Sequence, residues 1–196
     1  MDMLSVAFSL NMIPSGSADP FALRRMAQGV VQIVLGKQLP LGWEELSSLS
    51  VQILRDQQDF TNEPDILEKQ LVDFLDQRER WYLQEKGFRH DLIDAVLKPT
   101  SGTPLNRLNF ASTLSEDLNL PEFKKSVEAV VRAINITNKY AEESQASKLE
   151  QGSLTHEAEL ALYQALEAIA LDSESSPQQY LKTLYQLESS ITAFFD

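Results

Sequence analysis

Apolar residues in this chain recur three and four positions apart, in runs opened by Pro or Asp-Pro and closed by Gly, the pattern of helices that each bury one face. Runs of alternating Val, Ile and Thr are missing, Gly is scarce, and Leu, Gln, Glu and Ala are abundant. The chain is therefore expected to be all-α. With 196 residues, 43% of them hydrophobic, it can bury a real core as one domain or as two small ones.

Asp19-Pro20 predicts a mostly buried helix over 19–35, capped by Asp19 and ended by Gly36. Residues 43–56 repeat Trp43, Leu46, Leu49 and Ile53 on one face. Pro64 opens a longer helix with Ile66, Leu67, Leu71, Phe74, Leu75, Trp81 and Tyr82 on a broad apolar face, and Gly87 supplies a left-handed stop. A short helix follows from His90 to Leu97. Pro99-Thr-Ser-Gly-Thr-Pro104 is the clearest breaker cluster, so a junction is placed there: a helical domain at 1–98, a linker at 99–104 and a helical bundle at 105–196. Within the bundle, helices are expected over 105–118, 121–140, 155–171 and 177–195, with a polar loop over 141–153. Met1 to Leu10 is read as an apolar segment with no partner of its own, and Phe194-Phe195 as an exposed aromatic pair. Both ends thus look cut from a longer polypeptide.

The net charge of -12 argues against wholesale nucleic-acid binding, because backbone affinity comes from Lys and Arg displacing condensed counterions. The charge is uneven, however. Residues 121–148 hold five Lys/Arg against four acids, whereas 149–196 hold one Lys against eight. Any RNA surface must be local, and the last two helices are poor candidates for it. No Cys is present and His90 and His156 are far apart, so neither disulfides nor a His/Cys metal motif is expected. No stretch is long and apolar enough to read as a membrane span. A Gly-rich phosphate loop and a credible catalytic cluster are also missing, so no catalytic residues are assigned.

Four segments carry a resemblance to one family. Pro14-Ser-Gly-Ser-Ala-Asp-Pro-Phe-Ala-Leu-Arg-Arg25 resembles the segment that closes the degenerate HD-type domain of glycyl-tRNA synthetase beta subunits. Arg78-Glu-Arg-Trp-Tyr-Leu-Gln-Glu-Lys-Gly-Phe-Arg-His-Asp-Leu-Ile-Asp-Ala-Val-Leu97 is similar to that family's helix-turn-helix. Arg132-Ala-Ile-Asn-Ile136 resembles the core of its DALR-type anticodon-binding domain, and Ile191-Thr-Ala-Phe-Phe-Asp196 that domain's last helix. One departure is that Val130-Val131 stands where the family favours a basic pair member. The resemblance implies a two-part helical C-terminal fragment that binds tRNA(Gly). It places ATP, magnesium and glycine activation in a separate alpha subunit of a cytoplasmic heterotetramer, with no cofactor held in this fragment.

The candidate RNA contacts are Arg132, Asn135, Lys125 and Lys139, which fall on the face of helix 121–140 opposite Phe123, Val127, Val130 and Ile134. Arg forks onto phosphate or stacks on a base, and Asn pairs with a base edge. The competing reading is a solvated helix face. Arg78 and Arg89, in a basic cluster with Arg80, Lys86 and His90 beside Trp81, are further candidates. There the interleaved Glu79, Glu85 and Asp91 favour a salt-bridged surface. At Arg24-Arg25, at least one guanidinium is expected to pair with an internal carboxylate. Two functions follow: a tRNA-binding module, or a structural helical domain that docks the alpha subunit or another protein without touching RNA.

Overall fold

The computed structural model describes residues 1–57, 63–98, 102–140, 152, 154–170 and 175–195; the side chain of Tyr140 is not described. Most of the expected linker and of the polar loop at 141–153 lies outside these residues. The described residues form helices and no named strand: α1 (Asp2–Ser9), α2 (Leu23–Gly36), α3 (Trp43–Gln57), α4 (Pro64–Glu85), α5 (His90–Leu97), α6 (Pro104–Asp117), α7 (Pro121–Tyr140), α8 (Glu157–Glu167) and α9 (Pro177–Phe195). An all-α fold is what the periodicity required. Two compact units divide at 112/113, Met1–Ser112 and Thr113–Asp196, so the first residues of α6 belong to one unit and its last to the other.

In the first unit, α4 is the helix on which α1, α2, α3 and α5 all pack. Its buried residues Leu67, Leu71, Phe74, Leu75, Tyr82 and Leu83 fall three, four and seven apart, which keeps one stripe facing inward over about five turns. Ile66 and Trp81, expected on that face, are exposed instead, because Ile66 points away from the stripe and Trp81 sits at its edge. Gly87, at φ 86°, makes the expected stop after α4.

Three expectations in this unit are corrected. The first residues do have a partner: α1 buries Leu4, Ala7 and Phe8, and the Phe8 ring meets Phe74 edge-on at 5.2 Å. α2 starts at Leu23, not Asp19, since Ala22 takes a left-handed conformation just before it. Asp19 still satisfies the helix start from outside, accepting the N–H groups of Leu23 (2.8 Å) and Arg24 (3.1 Å). In α3 the buried face is Trp43, Ser47, Ser50, Val51 and Leu54, so Leu49 and Ile53 point to solvent. Small buried serines let α1 approach α3 closely, and Ser5 and Ser50 share a hydrogen bond across the contact.

The second unit contains α7, α8 and α9, with α9 packed against both of the others. Ser176 and Gln179 cap α9 reciprocally: the Gln179 N–H donates to Ser176 Oγ at 3.3 Å, and the Ser176 N–H donates to Gln179 Oε1 at 2.5 Å. α8 starts at Glu157, and Glu159 accepts the N–H groups of Thr155 (3.0 Å) and His156 (3.1 Å), which holds its carboxyl below the usual range. Tyr185 of α9 donates its hydroxyl to Asp117. Partial burial and that carboxylate push the phenol up to about 12.

Candidate functional site

Two of the candidate contacts on α7, Lys125 and Arg132, line a groove between α7 and α9 of about 280 Å³, with Glu128 beside them and Glu188, Thr192 and Phe195 on the other side. The structure corrects part of the expected inward face of α7. Its buried positions are Ser126 and Ala129, while Val127, Val131 and Ile134 are 36%, 46% and 49% exposed. Ser and Ala allow the helix backbones to approach, whereas of the stripe expected to be core Phe123 and Val130 are half-buried and Val127 and Ile134 are left outside.

Arg132 is held in place rather than extended. Its Nη2 donates to the Phe195 carbonyl at 3.0 Å, near the C-terminal end of α9 where helix carbonyls lack intrahelical partners. Its guanidinium lies over the Phe195 ring at 5.1 Å. One edge and one face of the guanidinium are thereby fixed, and the side chain as a whole remains exposed. Lys125 lines the same groove, and Lys125, Asn135 and Lys139 are all exposed. Phe195, read from sequence only as part of an exposed pair, is thus the stacking partner of Arg132. Phe194 beside it is exposed, with the two rings edge to face at 5.0 Å.

Arg78 and Arg89 lie in the first unit. Arg89 pairs with Asp91 at 2.6 Å and Arg80 with Asp94 at 2.5 Å, while Lys86 lies over the Tyr82 ring at 5.3 Å. These surface pairs fit the salt-bridged reading of this cluster. Arg78 is half-buried above the Phe74 ring, at 5.6 Å. Arg24 does not find an internal carboxylate; it donates to the backbone carbonyls of Gly16 (2.7 Å) and Ala18 (3.4 Å), drawing that loop onto α2.

The internal ion pair is made elsewhere: Glu79, expected on a salt-bridged surface, is buried instead, and its partner Arg107 was not singled out from the sequence. Glu79 is fully buried in α4, yet its carboxylate is satisfied on both oxygens. Arg107 of α6 donates Nε to Oε1 at 2.9 Å and Nη2 to Oε2 at 2.6 Å, and Trp43 Nε1 donates to Oε2 at 2.7 Å. Burial alone would lower the Arg107 pKa, but the Glu79 carboxylate more than offsets it. Asp76, 3.3 Å from Arg107, is pushed up to about 6 by burial, which outweighs the attraction of Arg107. This cluster fastens the start of α6 to α3 and α4; no periodicity marks it, since a buried Glu reads as surface.

Among the described residues no three His, Cys, Asp or Glu side chains converge as a metal site, and no helix is long and apolar enough to cross a membrane.

The family described as glycyl-tRNA synthetase beta subunit matches residues 1–98, half of the chain. A glycine–tRNA ligase beta subunit of Bacillus subtilis (strain 168) is 33% identical over 201 aligned positions, covering 100% of this chain and 27% of that protein. Proteins of the same name from Halalkalibacterium halodurans and Halothermothrix orenii are 39% and 40% identical, each over 71% of this chain and 20% of their own length. The chain therefore spans about a quarter of the length of these relatives. With a family match over residues 1–98, as far as α5, and a 33% identical relative aligned over the whole chain, this chain belongs to the glycyl-tRNA synthetase beta subunit family.

Proposed function

We propose that this chain is the tRNA-binding part of a glycyl-tRNA synthetase beta subunit, and that the α7–α9 groove is the surface that meets the RNA. The observation that carries the reading is Arg132, stacked on Phe195 beside Lys125 in an otherwise acidic chain of this family. A guanidinium already packed on one ring presents its second face to a base, and aromatic-plus-Arg platforms suit unpaired bases. Glu128 and Glu188 on the groove walls disfavour phosphate there but can accept a hydrogen bond from a base amino group. Phosphates then run along Lys125 and Lys139, with Asn135 at a base edge. The chain works with an alpha subunit that holds ATP and magnesium and attaches glycine, in a cytoplasmic heterotetramer.

Filter binding of a glycine tRNA at low salt tests this. Because Arg132 also holds α9, Arg132→Lys is more informative than charge reversal: it keeps the charge and loses the fork and the flat stacking face. Binding is expected to weaken by about tenfold, in line with ~1 to 3 kcal/mol for an oriented base contact. Asn135→Ala should narrow discrimination against a changed anticodon. Unchanged affinity and discrimination in both variants would sink the groove assignment.

A second reading, a domain that docks protein and not RNA, draws on the exposed Val127, Val131 and Ile134 stripe of α7. It predicts no salt-sensitive tRNA complex, but a loss of alpha-subunit capture when Val131 becomes Lys.

A further inference from the structure

The outward side of α2 is composed unlike the rest of the surface. Leu23, Ala27, Val31, Val34 and Leu35 bury the inward side of this helix in the first unit. With about 3.6 residues per turn, Gly29 falls at the centre of the opposite side, Met26 and Ile33 along one flank of it and Arg25 and Gln32 along the other. Met26 and Ile33 are exposed, and Ile33, at 61%, is the most exposed large apolar side chain among the described residues. Between Pro20 and Trp43 the chain carries Arg24, Arg25 and Lys37 but no Asp or Glu, in a protein of net charge -12. A surface that holds Met, Ile and Arg and excludes acids has the composition of an interface rather than of a solvated face. Gly29 is an independent observation. A Cβ built there would meet nothing within 4 Å, so no neighbour inside the first unit requires a glycine, and Gly weakens the helix that holds it. What Gly29 provides is a strip of bare backbone on which a second helix can pack closely while Met26 and Ile33 close over its edge.

We propose that the outward side of α2 is a docking face for a helix with an apolar stripe and acidic flanks, supplied by the part of a beta subunit that this chain does not carry. The Bacillus subtilis relative aligns with the whole of this chain, α2 included, yet the chain covers 27% of that protein, so about three quarters of such a subunit is left to cover the face. Acidic flanks complement Arg25 in the first turn of α2 and Lys37 at its C-terminal cap. A second copy of the same face would set these cations against each other or against themselves, in either direction of pairing. RNA gains little here, because Met26 and Ile33 offer a base no ring to stack on. This inference does not depend on the α7–α9 groove being the RNA surface.

The chain has no Cys, so Ile33→Cys places a single thiol on the face. Its rate of maleimide labelling is measured in this chain alone and in a complete beta subunit that contains the chain, and read by mass spectrometry on the peptide that carries position 33. The isolated chain should label at close to the rate of the denatured peptide, and the complete subunit more slowly by about tenfold or more. Equal rates in the two overturn the proposal. Protection that appears only when an alpha subunit or a tRNA is added overturns the assigned occupant, as does protection in the isolated chain that grows with its concentration, the mark of a second copy. Gly29→Leu tests the close approach. It should leave the Tm of the isolated chain unchanged or raise it by ~2 °C, since the added side chain meets nothing and Leu is the better helix former. In the complete subunit the same change should abolish most of the protection at position 33, and full protection in that variant overturns the packing of a helix on Gly29.

Discussion

Both compact units are made of amphipathic helices, yet they close their apolar surfaces to different degrees. Among the described residues the first unit buries 21 hydrophobic side chains, from Leu4 to Ala111, whereas the second buries three, Ala129, Leu181 and Ile191. The first therefore has an interior, and the second rests on two helix–helix seams with α9 in the middle. In the first unit even a carboxylate is taken inside, because Trp43 and Arg107 are there to receive it. In the second, charged groups such as Glu128, Arg132 and Glu188 line a groove at the seam and stay near water. A packed scaffold tolerates a buried ion pair; a thin one keeps its charges where a ligand can reach them.

Removing the buried carboxylate should sharpen the contrast most. Glu79→Ala leaves the Arg107 charge and the Trp43 N–H without their partner, a change that costs ~3 to 5 kcal/mol for a buried pair. Both tryptophans of the chain, Trp43 and Trp81, lie in the first unit, so Trp fluorescence reports on that unit alone. Its denaturant midpoint should fall, while the part of the far-UV dichroism change that comes from the second unit stays put. A single coincident shift of both signals would mean that the two units unfold as one.

The next effect is a pH dependence confined to the first unit. Asp76 has a folded pKa of about 6 against an ordinary 3.8, so the folded state binds this proton more tightly than the unfolded chain. Its contribution to stability is complete below the ordinary value and is lost as the pH rises through about 6. The side chain is 45% exposed, so solvent screening cuts the nominal effect to about 1 kcal/mol. Trp-detected stability should therefore fall from pH 5 to pH 7 in the wild-type chain, and Asp76→Asn should flatten that slope. A slope of equal size in the variant would locate the titrating group elsewhere.

The smallest expected effect is on the α7 stripe. Because Val127 and Val131 are exposed, Val127→Lys with Val131→Lys should change stability by no more than ~0.5 kcal/mol. The same pair of changes at Leu71 and Leu75, both fully buried, should prevent folding of the first unit. If the Val127 and Val131 changes are equally damaging in thermal melts, α7 turns a different face inward and the comparison collapses.

Much of the helical map follows from local chemistry. The stop at Gly87, the Ser176-Pro177 start and the bounds of α5, α7 and α9 coincide with signals that act within a few residues, where backbone donors and acceptors must be satisfied whatever the surroundings. The choice of inward face does not. In α3 and α7 the apolar periodicity marks stripes of which Trp43 is buried and Leu46, Phe123 and Val130 are half-buried, while Leu49, Ile53, Val127 and Ile134 are exposed and Ser47, Ser50, Ser126 and Ala129 take inward positions instead. An amphipathic pattern records which residues avoid water, but close helix approach rewards small ones, and the partner's shape decides which demand wins.

The sequence by itself determined that the chain is helical, where several of its helices start and stop, and which family it resembles, because these rest on backbone chemistry and on long ordered motifs. Tertiary structure alone decided that Glu79 is buried, that Arg107 and not Arg24 pairs with an internal carboxylate, and that Arg132 is stacked on Phe195. Those partners are separated by 28 and 63 residues in the pairs Glu79–Arg107 and Arg132–Phe195, and the worth of a charge depends on what the fold brings to within a few ångströms of it.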